Sequence, residues 1–104
     1  MKPEPARAPD IKLYPNMVPR SFHVTVKAAG EVLDLTTSDV SAPVYDDGVQ
    51  IGELEVEKDD AANGRLKITI TEEIYGAMGR YATWRFHEGT VFDYPLIEQR
   101  LVKV

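Results

Sequence analysis

The chain has 104 residues, enough for one domain, since domains most often run to about 100–150 residues. It contains no cysteine, which excludes a disulfide framework and a Cys-ligated zinc site and is compatible with synthesis in a reducing cytoplasm. The net charge of −5 at pH 7 argues against a nucleic-acid partner, which is gripped by clustered Lys and Arg. No apolar run approaches the roughly 18–20 residues that span a bilayer, and Met1-Lys2-Pro3-Glu4-Pro5 lacks the apolar segment of a signal peptide.

Prolines at 3, 5, 9, 15 and 19 deny the first nineteen residues both a helix and a continuous strand ladder. The expectation is an extended Pro-rich N-terminal arm over residues 1–19, followed by a β-sandwich domain over 20–104. Within the arm only Ile11-Lys12-Leu13-Tyr14 alternates like a strand. It could add to a sheet edge of this domain or of a neighbour.

From Arg20 the pattern turns to period two. Phe22, Val24 and Val26 alternate with His23, Thr25 and Lys27, as in a strand with one face in a core. Ala29-Gly30-Glu31 reads as a turn, and Val32-Leu33-Asp34-Leu35 begins a second short strand. Val40 to Tyr45 is a third, limited by Pro43 to an edge or a bulge. Asp46-Asp47-Gly48 is a turn.

Val49 to Thr71 reads as a β-hairpin. Leu54 and Val56 oppose Glu53, Glu55 and Glu57, and Leu66, Ile68 and Ile70 oppose Lys67 and Thr69. The reversal falls at Asn63-Gly64, a pair that tolerates positive φ. Thr71 can cap a brief helical turn that ends at Gly76 or Gly79. Tyr81 to Phe86 returns to strand with Ala82, Trp84 and Phe86 on one side, His87-Glu88-Gly89 turns, and residues 90–103 supply a strand pair or one long strand interrupted at Pro95. Roughly seven or eight short strands, with turns every 8 to 12 residues or so, indicate an all-β sandwich.

Chemistry-bearing residues are sparse. His23 and His87 would form a metal site only by converging with carboxylates that the spacing does not specify; the ordinary reading puts His23 on an outer strand face and His87 on a loop. No serine lies in a G-x-S-x-G context. Asp46-Asp47 and Asp59-Asp60 invite calcium, but neither follows the spaced ligand pattern of a calcium loop, and Asp beside Gly is ordinary turn chemistry. Gly76-Ala77-Met78-Gly79 is a lone G-x-x-G, better read as helix termination than as a phosphate cradle. Trp84 and Phe86 alternate with Ala82 as core residues, whereas Phe92-Asp93-Tyr94-Pro95-Leu96 alternates poorly, as a protein contact or a buried strand would. The expectation is a non-enzymatic protein without cofactor or metal.

Several passages carry a resemblance. They are Ser21-Phe22-His23-Val24-Thr25-Val26 with Val32-Leu33-Asp34-Leu35-Thr36, then Gly52-Glu53-Leu54, then Asp59-Asp60-Ala61-Ala62-Asn63-Gly64-Arg65-Leu66, and last Thr71-Glu72-Glu73 leading to Gly79-Arg80-Tyr81-Ala82-Thr83-Trp84. From about Val18 to Val104 their order resembles the small immunoglobulin-like antiparallel β-sandwich of bacteriophage tail and baseplate proteins, typified by the N-terminal domain of the upper baseplate protein. The resemblance implies a virion structural protein, made in the bacterial host cytoplasm, that docks onto other phage structural proteins of the tail or baseplate. It carries no catalytic residues over. The Pro-rich arm and the lack of a long C-terminal receptor-binding extension depart from the family and imply a stand-alone module; a homo-oligomer, or several copies in the virion, is expected.

Contact with neighbours is expected through sheet edges and the arm, at Ile11, Leu13, Tyr14, Met17, Phe92, Tyr94 and Leu96. Two alternatives accompany this reading. One is a capsid decoration or cement protein whose arm lies across the major capsid protein. The other is a carbohydrate-binding module for host-surface attachment that stacks sugar on Trp84, Tyr81, Tyr94 or Phe92.

Overall fold

The computed structural model describes residues 6–28, 30–89 and 95–104. In chain order these form β1 (Ala6–Arg7), β2 (Ile11–Leu13), β3 (Arg20–Thr25), β4 (Lys27–Ala28), β5 (Glu31–Val32), β6 (Val40–Ser41), β7 (Pro43–Asp46), β8 (Val49–Glu53), β9 (Glu55–Asp60), β10 (Arg65–Ile70), a helix α1 (Glu72–Ala77), β11 (Tyr81–Glu88) and β12 (Ile97–Lys103). Short 3₁₀ turns occupy Pro15–Met17 and Ala61–Asn63.

Two sheets face each other across one core. The larger runs in the order β1-β12-β11-β7-β8, with β2 also on β12 and β6 also on β11, and the smaller is β3-β10-β9. The period-two runs behave as the sequence indicates: Leu66, Ile68 and Ile70 of β10 and Ala82, Trp84 and Phe86 of β11 are buried. Phe22 of β3 meets Trp84 across the gap with ring centroids 5.8 Å apart, so an aromatic pair joins the two sheets. Each large apolar side chain buried here contributes about 1.5–3 kcal/mol. The all-β sandwich is the observed architecture.

The hairpin is also observed, as β9 and β10 around Ala61–Asn63 and Gly64, whose φ is +70°. A single strand through Ile51 to Glu57 is not. The chain changes sheets at Leu54: β8 pairs with β7 in the larger sheet, and β9 with β10 in the smaller. Leu54 is buried and its N–H donates to the carbonyl of Ala42 at 2.8 Å, which satisfies the backbone at the crossing. Ala42 interrupts the third expected strand in turn, leaving β6 and β7 as separate pieces on β11. A register shift between Val44 and Tyr45 follows Pro43 at the first position of β7, as a proline in a sheet requires.

The second expected strand stops at Val32. Oδ1 of Asp34 accepts from both the N–H and the hydroxyl of Thr36, at 3.0 and 2.6 Å. This local turn takes the backbone away from any ladder. Thr71 caps α1 as expected, its hydroxyl accepting from the N–H of Ile74 at 3.3 Å. Gly76 does not end the helix, which runs on to Ala77, and the chain leaves it through Met78. The turn expected at His87-Glu88-Gly89 starts later, because Ser41 and Val40 of β6 extend the ladder to His87 and Glu88. His87 is therefore a strand residue rather than a loop residue.

Of the two edges open to Ile11-Lys12-Leu13-Tyr14, this domain's own is the one observed. Strand β2 lies parallel to β12, with Ile11 opposite Leu101 and Leu13 opposite Lys103. Ahead of it β1 also pairs in parallel with β12, Ala6 opposite Ile97. The larger sheet is thus not wholly antiparallel. Residues 6–13 are part of the sandwich and not a free arm, because two apolar side chains at alternate positions fit the open edge beside β12.

Candidate protein-binding face

Along β11 the even positions point into the core, so Tyr81, Thr83, Arg85 and His87 face outward on the larger sheet. The register brings neighbours alongside them. Thr83 lies between Tyr45 of β7 and Arg100 of β12, Tyr81 lies opposite Val102, and Arg85 lies opposite Glu98. Lys12 of β2 continues the row beyond Val102.

These side chains stack. The guanidinium carbons of Arg80 and Arg100 lie 5.5 and 5.1 Å from the centroid of the Tyr81 ring, and that of Arg85 lies 4.9 Å from the centroid of Tyr45, all within cation–π range. Ion pairs fix two of the arginines. Oε2 of Glu98 lies 3.0 Å from Nε of Arg85, and Oδ2 of Asp10 accepts from Nε and Nη2 of Arg100 at 3.0 and 2.6 Å. The hydrogen bonds that Arg100 donates to Asp10, together with the charge of Asp10, raise the pKa of Arg100 above the ordinary guanidinium value. Arg80 makes no ion pair among the described residues and is exposed.

The face is bordered by the turn between β7 and β8, where Asp46 Oδ2 accepts from the N–H of Gly79 at 2.7 Å. Tyr45, Asp46, Asp47 and Gly48 form one wall of a shallow groove, and Arg80, Tyr81, Thr83 and Arg85 form the other. A guanidinium held over a ring keeps its planar fork oriented and loses little freedom on meeting a partner. Tyr and Arg are also the side chains that dominate protein-interface energetics. Mounted on sheet backbone, such a face is suited to contact with another protein.

The sequence-expected contact residues divide. Ile11 and Leu13 are buried, 8% and 1% exposed, in this chain's own core, so as partner contacts they are corrected to structural residues. Leu96 is likewise buried, and its N–H donates to the carbonyl of Phe86 at 2.8 Å; the apolar character of that stretch serves the core at this position. Tyr14 and Met17 are 41% and 57% exposed, on the turn between β2 and β3 at the same end of the sheet as Lys12 and Arg80. Phe92 and Tyr94 lie outside the described residues.

Trp84 is fully buried and cannot stack on a sugar, which removes the main platform of the carbohydrate alternative. Tyr81 is exposed at 46%, with Arg80 and Arg100 beside its ring. His23 and His87 occupy the outer faces of opposite sheets and do not converge. His23 lies 3.6 Å from Asp59, which also pairs with Arg65 at 3.1 Å.

Sequence reasoning missed Arg80, Arg85, Arg100 and Tyr45. The available signal was the alternation of β11, which assigns Tyr81, Thr83 and Arg85 to one outward face as surely as it assigns Trp84 to the core. No protein-family model matches the chain, and no curated protein matches it in sequence.

Proposed function

We propose that the chain is a non-enzymatic structural module of a bacteriophage particle, associated with the tail or baseplate, that binds neighbouring virion proteins. The protein-binding half of this reading is supported by the stacked Arg–Tyr face: three arginines on two tyrosines, held on a rigid sheet beside exposed Tyr14 and Met17. The virion half rests on the resemblance carried by Ser21–Val26, Asp59–Leu66 and Gly79–Trp84.

In this reading contact is made by a sheet face and the β2–β3 turn. The N-terminal segment, which the sequence suggested as a grappling arm, instead braces the sheet through β2. Adhesion of this kind needs no reacting group. It needs a surface whose shape is set before the partner arrives, which lowers the entropy lost on docking.

The test is the position of the chain on purified phage particles, read by immunogold labelling against the intact protein. Label at the tail or baseplate is the expected result. Label on the head would replace this reading with the cement protein, and particles free of the chain would overturn it.

A further inference from the structure

Asn63 and Gly64 close the β9–β10 hairpin, and the same pair carries a chemistry that turn formation does not use. In an open chain the backbone nitrogen after an asparagine, once deprotonated, attacks the side-chain carbonyl carbon of that asparagine. The N–C bond that forms closes a five-membered succinimide. The C–N bond that breaks releases the amide nitrogen, which takes the backbone proton and leaves as ammonia. Water then opens the ring at one carbonyl to give aspartate or at the other to give isoaspartate. Glycine is the best residue to follow, because no Cβ obstructs the approach and its backbone turns freely.

The folded hairpin opposes each part of that step. Asn63 is exposed, but Gly64 is buried. The attacking nitrogen is engaged, since the N–H of Gly64 donates to the carbonyl of Ala61 at 3.0 Å. The leaving group is engaged too: Nδ2 of Asn63 donates to Oδ2 of Asp60 at 3.0 Å.

The peptide unit that would have to swing is also pinned. The carbonyl of Gly64 accepts from the N–H of Val26 at 2.8 Å, and that of Ala61 accepts from Leu35 at 2.7 Å as well as from Gly64. The backbone oxygens of Leu33 and Val26 fill the space where a Cβ on Gly64 would stand, so the glycine lacks the room that makes it reactive in an open chain.

We propose that Asn63 is a spontaneous modification site that folding closes, so that deamidation is confined to chains whose hairpin is open. The native protein reacts only through openings of the reversal, at the open-chain rate multiplied by the open fraction. Deamidation acts back on the fold. Aspartate at 63 replaces the donor to Asp60 with a second carboxylate, and like charges at that range repel. Isoaspartate lengthens the main chain by one carbon where Ala61 and Gly64 hold their hydrogen bonds. Either product weakens the reversal, which marks a chain that has stood open. The inference rests on the hairpin alone and is independent of the protein-binding and virion readings.

The experiment holds the intact protein at mildly alkaline pH over a series of urea concentrations that spans unfolding, followed by circular dichroism. Peptide mapping by mass spectrometry reads conversion at Asn63 separately from Asn16, the other asparagine in the sequence. Conversion at Asn63 is expected to be slower by about tenfold or more in the folded protein and to rise with the unfolded fraction. Equal rates with and without urea overturn the proposal.

Asp60→Ala, with folding checked in the same way, is expected to convert several-fold faster than wild type without urea and at the same rate in urea. A folded variant no faster than wild type overturns the role given to Asp60. Chains deamidated in urea and returned to buffer should melt at a lower temperature than unmodified chains; an unchanged midpoint overturns the dependence of the native reversal on the Asn63 amide.

Discussion

The indole N–H of Trp84 donates to Oε1 of Gln99 at 3.0 Å, across the ladder position where β11 and β12 set the two residues opposite each other. Nε2 of Gln99 then donates to the carbonyl of Pro9 at 2.7 Å. One amide thus satisfies the polar atom of the largest core residue and ties down the segment between β1 and β2. Gln99→Leu keeps the size and removes both bonds. The expected loss is about 1–3 kcal/mol, the cost of leaving a buried donor unmet, which in a domain of this size lowers the melting midpoint by roughly 4–8 °C per kcal/mol. A thermal scan with an unchanged midpoint would show that neither bond matters to stability.

The brace role of the N-terminal segment separates residues that are neighbours in sequence. Leu13→Ala should cost about 2–5 kcal/mol as a core truncation, while Tyr14→Ser, at a 41% exposed position, should change stability by no more than about 0.5 kcal/mol. Urea denaturation of both variants makes the comparison. Similar midpoints for the two would contradict the burial of β2 in the core.

Two glycines should respond to alanine with opposite signs. At Gly64 the φ is +70°, and a Cβ would come 2.7 Å from the carbonyl oxygen of Leu33 and 2.8 Å from that of Val26. These are backbone atoms that cannot swing away, so the clash adds to a left-handed strain of about 1–2 kcal/mol. Gly76 sits inside α1, where an added methyl group would meet nothing within 4 Å, and alanine there should stabilise by roughly 0.5–1 kcal/mol. Paired melting curves test both, and a stabilising Gly64→Ala would refute the close approach of the reversal to Leu33 and Val26.

His87 gives a pH signature. Burial, followed by the charge of Arg85, lowers its pKa below the ordinary imidazole value of 6.5. As pH falls below that value the unfolded chain takes up the proton first, so stability present above it is lost as pH drops through the lowered folded pKa. Between about pH 7 and about pH 5 the wild type should lose more stability than His87→Gln. Parallel stability profiles for the two proteins would show that the native environment of His87 does not resist protonation.

Local chemistry was legible in the residues themselves. Alternation in Phe22–Val26, Leu66–Ile70 and Ala82–Phe86 names the buried face of each strand, because successive side chains on extended backbone point to opposite sides. Asn63-Gly64 marks the reversal and Thr71 the helix cap, since positive φ and an unpaired helix N–H each demand particular residue types. The sandwich class followed from these short-range rules.

Which strands become neighbours was not legible. The division of Val49–Asp60 between two sheets at Leu54 depends on a hydrogen bond from Leu54 to Ala42, and the docking of Ile11–Leu13 depends on an edge of β12 some ninety residues away. The Arg–Tyr face has the same origin. Tyr45, Arg80, Arg85 and Arg100 come from three separate stretches of chain, and only the ladders β7-β11-β12 set them side by side. Period and turn chemistry act over a few residues, whereas strand pairing is decided by how all the apolar faces fill one interior at once; tertiary packing therefore chose the surface that the folded protein presents.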